Sequence, residues 1–102
     1  MVIVLFKTKL RADADLAAYE KLGLRMYELV SRMEGFVSFS EAQLPDRESL
    51  GIVTFASPEA LEAWRRHPEH VEAQRQGRER FYEAYSIKVC AVTRESEWSR
   101  TP

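Results

Sequence analysis

Between Ser57 and Tyr85 the chain reads "SPEALEAWRRHPEHVEAQRQGRERFYEAY", which holds both of its histidines, one of its two tryptophans and five arginines. These are residue types that can run proton chemistry on a flat molecule. Histidine titrates near neutral pH and can take a proton, arginine can hold the anion that results, and tryptophan offers a planar wall. At about 100° per residue, Ala60, Trp64, His67, Val71, Gln74, Arg78, Phe81 and Tyr82 share one helical face, with Ala63 and His70 at its edge. A face made for packing alone would be apolar throughout, so His67, Gln74 and Arg78 are its unusual members. They either line a cavity between helix and sheet, or Pro68 rotates the following helix and sends them to solvent, leaving Trp64, Val71, Phe81 and Tyr82 inside.

Other site chemistries find little support. His67 and His70, three apart, make half of a helical metal site, but no third ligand sits near them and Cys90 falls in an apolar, strand-like run, so no metal is expected. There is no serine on a glycine elbow, and Cys90 reads as a small core residue. Glycines are few, and neither a phosphate-cradling loop nor a dinucleotide-binding fingerprint occurs.

The elements that must carry this stretch follow from periodicity. "VIVLFKTKL" is apolar on both alternation phases, as in a strand covered on two faces. Asp13 or Asp15 can cap a helix whose apolar positions Leu16, Tyr19, Gly23, Met26, Val30 and Met33 recur every three or four residues. Gly23 on that face implies close approach to a sheet, and Gly35 is placed as the C-terminal cap. "FVSFSEAQL" and "SLGIVTFA" alternate around "PDRE" as a hairpin, with Phe6, Phe36, Phe39 and Phe55 as core residues. Ser57 and Pro58 start the second helix, which Pro68 should kink or restart. "YSIKVCAVTR" is the last strand and "ESEWSRTP" a polar tail. The order β-α-β-β-α-β is that of a ferredoxin-like α+β domain with an antiparallel sheet, assigned to residues 1–95, with a tail over 96–102.

The 102-residue chain carries 15 basic and 16 acidic residues without a basic stripe, so nucleic acid is not an expected partner. A single cysteine excludes an internal disulfide and suits a reducing compartment, hence the cytoplasm. The opening "VIVLF" lacks a basic leader and is too short to cross a bilayer, so no membrane association is expected. Asparagine is absent and arginine outnumbers lysine, a bias that suits a hot habitat or a GC-rich genome equally. Two helices cover only one face of a four-stranded sheet. With the first and last strands apolar on both phases, the other face calls for a second copy packed sheet to sheet. A homodimer is expected, with Trp98 as a cross-subunit contact.

The element order, the "MEGF" turn, "FASPEALEAWRRHPEH" and the closing "YEAYSIKVCAVTRE" together resemble the antibiotic biosynthesis monooxygenase (ABM) domain family over nearly the whole chain. The resemblance implies a ferredoxin-like subunit that pairs into a dimeric α/β barrel. It also implies a set of activities: cofactor-free oxidation of polycyclic phenols to quinones, quinol oxidation, oxidative haem degradation, and members without known catalysis. For the first, the substrate itself reduces oxygen once a pocket has deprotonated it. The resemblance then casts His70 or His67 as catalytic base, Arg78 as the catalytic anion stabiliser, and Trp64, Gln74, Val71, Phe81 and Tyr82 as substrate-binding residues. The leading expectation is a monooxygenase for a small aromatic phenol or quinol that needs no cofactor. The alternatives are a non-catalytic dimeric protein that binds a small hydrophobic ligand or serves a stress response, and, third, a haem-degrading enzyme. That third branch uses a strand-one asparagine, a helix-two tryptophan and a histidine ten positions later. Trp64 matches, but the tenth position is Gln74 and no asparagine exists.

Overall fold

A computed structural model describes residues 1–100. The chain runs β1 (Val2–Leu10), α1 (Leu16–Val30), β2 (Phe36–Gln43), β3 (Glu48–Phe55), α2 (Pro58–Arg65) and α3 (Pro68–Gln76). A π-helical turn, Gly77–Phe81, then leads into β4 (Tyr82–Ala91). The four strands form one open antiparallel sheet in the order β2-β3-β1-β4. This is the ferredoxin-like α+β arrangement, with its second helix divided in two. Beyond Ala91 the described chain has no regular element. The last two residues of the tail assigned to 96–102 lie outside the described residues.

Local chemistry accounts for the boundaries. Asp15 caps α1, its Oδ1 accepting the Ala18 N–H at 3.1 Å, while Asp13 pairs with Arg11. The helix ends at Ser31, so Gly35 is not its cap. Gly35 instead turns the chain into β2 at φ +87°, where a Cβ would stand 2.5 Å from that of Ala60. The hairpin closes through Asp46 and Arg47, at φ 62° and 60°, the paired left-handed geometry that suits the twist of two joined strands. Ser57 caps α2 through the Ala60 N–H at 3.1 Å, with Pro58 in the first turn. Pro68 begins α3 as a new helix, because a proline there cannot donate into the turn behind it.

Strand register decides what each sheet face carries. Val2 lies opposite Phe55 and Val4 opposite Val53, and with Val30, Leu61 and Trp64 from the helices they build the core. The opposite face carries Ile3, Leu5, Leu50 and Ile52, all half-buried, away from the helices. β4 differs from its sequence reading: on that open face it presents Ala84, Ser86, Lys88 and Cys90. Its apolar phase, Tyr85, Ile87 and Val89, is on the helix side, where Val89 is 56% exposed. No described helix is long and apolar enough to cross a membrane.

Candidate active site

The space beside that exposed strip is a cavity of about 860 Å³ between α1, the α2–α3 segment and the helix-facing side of the sheet. Val4, Phe6, Thr8 and Gly51 line its sheet side, Tyr19, Gly23 and Tyr27 its α1 side, and Trp64, His70 and Gln74 its far wall. Gly23 corrects a sequence expectation. A Cβ there would meet nothing within 4 Å, so this glycine borders open space and is not a point of close helix–sheet approach.

His70 is held by its neighbours in one orientation. Its ring stacks on the Trp64 indole with centroids 4.2 Å apart and planes 18° from parallel. Its Nδ1 lies 3.1 Å from the Trp64 carbonyl oxygen. A carbonyl can only accept, so Nδ1 carries the proton and Nε2 is left as the basic nitrogen. Burial lowers the His70 pKa; the Trp64 hydrogen bond opposes this, and the charges of His67 and Arg65 add to the lowering. The imidazole is therefore neutral at pH 7 and able to accept a proton.

The other sequence candidates divide. Trp64, Gln74, Phe81 and Tyr82 border the cavity along with His70. His67 does not: it caps α3, its Nδ1 accepting the Glu69 N–H at 3.2 Å. Val71 is 50% exposed and Arg78 is exposed, both away from the cavity. The physical reason is that the helix is broken, so no single helical phase holds from Pro58 to Tyr82. Pro68 resets the phase, so the inward set of α3 is His70, Ala73, Gln74 and Gly77, and the π turn then adds a residue before Phe81. Gly77 is required at this turn, because any side chain there would collide with the Tyr82 ring.

Several lining residues carry no distinct sequence signal. Arg65, the arginine that does border the cavity, is tied to Glu62 at 3.0 Å. Thr8, almost fully buried, pairs its hydroxyl with that of Ser49 at 2.9 Å, a meeting that only the β1–β3 register creates. Tyr82 is half-buried beside Tyr19, and desolvation first, then Tyr19 and the Glu41 charge, push its phenol pKa upward. Tyr82 thus stays protonated, able to donate its O–H and not a base. Phe39, expected in the core, is 40% exposed at the cavity rim. Among the described residues no three histidine, cysteine or acidic side chains converge as metal ligands.

Fold and cavity together define a ferredoxin-like domain with a ligand-sized hollow beneath its helices. Residues 1–76 match the family model described as antibiotic biosynthesis monooxygenase, and the chain belongs to that family of monooxygenases. A curated relative, the uncharacterized protein YqjZ of Bacillus subtilis, is 30% identical over 77 residues, covering 76% of this chain and 68% of its own. Among solved structures, Rv0793 from Mycobacterium tuberculosis superposes with a TM-score of 0.81 at 22% identity, covering 94% of this chain and 98% of that one. SnoaB, a cofactor-independent oxygenase from Streptomyces nogalater, gives 0.76 at 14% identity over 92% and 94%. At such identities the structural likeness establishes the shared fold. The family match includes Trp64, His70 and Gln74, whereas the π turn and Tyr82 lie beyond it.

Proposed function

We propose that this chain is a cofactor-independent monooxygenase that oxidises a small aromatic phenol or quinol within the cavity. The observation that carries this reading is His70: a neutral imidazole, fixed by the Trp64 carbonyl and stacked on its indole, bordering a largely apolar cavity. His70 Nε2 takes the phenol proton, and the electron-rich phenolate reduces dioxygen. One oxygen atom forms a new bond to a ring carbon. The other leaves as water, taking the hydrogen of that carbon and the phenolic proton, so that phenol and O2 give quinone and water. Arg78 is exposed and does not border the cavity, so it is not assigned to hold the phenolate. That task falls to the imidazolium just formed and to the Gln74 amide, both bordering the cavity. The cofactor-independent oxygenase SnoaB shares the fold, which supports the choice of chemistry. Gln74 stands where the haem-degrading branch has its iron ligand, and an amide is a poor ligand for iron.

The homodimer belongs to the same proposal. Ile3, Leu5, Leu50 and Ile52 form an apolar strip on the open face, and a second copy laid against it would close two sheets into a barrel. The fully buried core is small, which favours burial of further apolar surface by association. Trp98, 79% exposed in the tail, is available for a cross-subunit contact. A cytoplasmic setting suits the free thiol of Cys90.

The test is oxygen uptake by the purified protein with a panel of naphthols and hydroquinones, with product absorbance followed in parallel. The proposal expects consumption of dioxygen matched mole for mole by quinone, without added metal, flavin or haem. Saturable binding of the same compounds with no uptake would establish the non-catalytic ligand-binding alternative instead. A saturable Soret shift with hemin, lost in His70→Ala, would bring haem chemistry forward.

A further inference from the structure

The cavity wall carries a charge pattern that the oxygenase reading does not use. Four residues with acidic or basic side chains border it: Glu20, Glu41, Arg65 and His70. His70 is neutral at pH 7 because burial lowers its pKa, and the Arg65 guanidinium, on the α2 wall, shares the Glu62 carboxylate with Arg66. Neither Glu20 nor Glu41 joins an ion pair among the described residues. The net positive group stands on α2, whereas beside Gly51 and Tyr82 the Glu41 carboxylate makes the local field negative.

Glu41 has a further property. Its cross-strand row is Glu41, Gly51, Phe6 and Ile87, so between the carboxylate and the Phe6 ring stands a residue with no side chain. Around Phe6 the rings gather edge to face: Tyr82 at 5.9 Å and Tyr85 at 5.8 Å, with Tyr19 at 5.9 Å from Tyr82. The Glu41 charge is near enough to Tyr82 to contribute to the rise in its phenol pKa. The Glu41 carboxylate has no cationic partner among the described residues, its Oε1 accepting only the neutral Gln43 amide at 3.0 Å; aromatic faces beside such a carboxylate, at the edge of an apolar cavity, are the surroundings that recognise an organic ammonium group.

We propose that the cavity selects flat aromatic ligands that carry a protonated amine, with the ammonium placed between Glu41 and the Phe6, Tyr19 and Tyr82 rings, and that it discriminates against carboxylated ligands of the same shape. Glu41 is the specificity-determining residue. The inference rests on the cavity being the ligand site, as the proposed function requires, but not on any oxidation taking place there.

Calorimetric titration of the full chain at pH 7 and low salt, with naphthylmethylamine, naphthol and naphthoate, separates charge from shape. The ammonium probe should bind about tenfold or more tighter than naphthoate, with naphthol between them, and added salt should narrow the gap. In Glu41→Gln, an isosteric change on an exposed edge strand, the two charged probes should come within about twofold of one another while naphthol affinity is kept. Glu20→Gln should keep most of the preference. Equal or tighter binding of naphthoate to the unaltered chain, or a preference that survives Glu41→Gln or vanishes equally in Glu20→Gln, would overturn the assignment while leaving the cavity as the ligand site. Failure of all three probes to bind would overturn the cavity reading together with this one.

Discussion

At the residue scale the chemistry concentrates on His70, and the protonation of that ring sets a pH dependence with a definite sign. Its folded pKa lies below the ordinary 6.5, chiefly through burial, so the basic form already predominates at neutral pH. The kcat/KM for oxidation should therefore be flat above about pH 6.5 and fall on acidification through a lower value. Stability should follow the same direction. Between the folded and unfolded pKa values the unfolded chain binds more protons, so stability rises with pH across that window and is lost as pH falls through it. Melting temperatures measured from about pH 5 to 7.5 should show this slope, and it should flatten in His70→Gln. A slope unchanged in that variant would remove His70 as its source. His70 was visible in the sequence as an edge member of the helical face, but its capture by the Trp64 carbonyl was not. That contact joins residues six apart across a helix break, and helical periodicity does not describe such a pair.

At the element scale the order of strands and helices was legible because each signal was local. Asp15, Ser57, Pro58 and Pro68 act within a turn of where they stand, and each marks a boundary in the structure. Where the inward face of the second helical region lies was not legible. It depends on how far Pro68 and the π turn rotate the chain, and neither rotation is written in the spacing of side chains. The rotation expected of Pro68 accounts for Arg78 and His67 standing away from the cavity but not for the exposure of Val71 or for Gln74 at the cavity, while Trp64, ahead of the break, borders the cavity on either phase. Glycines test the elements directly. Gly35→Ala combines a left-handed backbone with a collision against Ala60 and should cost about 2 kcal/mol or more. Gly23→Ala meets no neighbour and should stabilise α1 by about 1 kcal/mol. Thermal or urea unfolding of the two variants checks both signs, and a destabilised Gly23→Ala would contradict the open cavity at that position.

At the scale of the whole molecule, the proposed homodimer covers the open face of the sheet with a second copy. In the sequence both phases of the first and last strands read as apolar. The register keeps that for β1 and adds Leu50 and Ile52 of β3, but turns the polar phase of β4 toward this face. The apolar strip is thus central, with Ile3 and Leu5 on β1 and their neighbours on β3, and less apolar toward β4. Sedimentation should show a dimer at micromolar concentration, and Leu5→Lys, which sets a charge in the middle of the strip, should convert it to monomer. A monomeric parent, or a dimer indifferent to Leu5→Lys, would refute sheet-to-sheet pairing. The barrel as an expectation rests on the family resemblance, and the sheet-to-sheet pair on two strands apolar on both phases. Its exact interface could not be read there, because register is a property of pairs of strands and not of either one.

The most direct test of the central claim is a comparison of His70→Ala with Arg78→Ala on the best phenol found by oxygen uptake. The geometry predicts that His70→Ala lowers kcat/KM by about a hundredfold or more, while Arg78→Ala, exposed and away from the cavity, stays within about twofold of the parent chain. Retained turnover in a folded His70→Ala variant, or a comparable loss in Arg78→Ala, would contradict the assignment of the base and the site built around it.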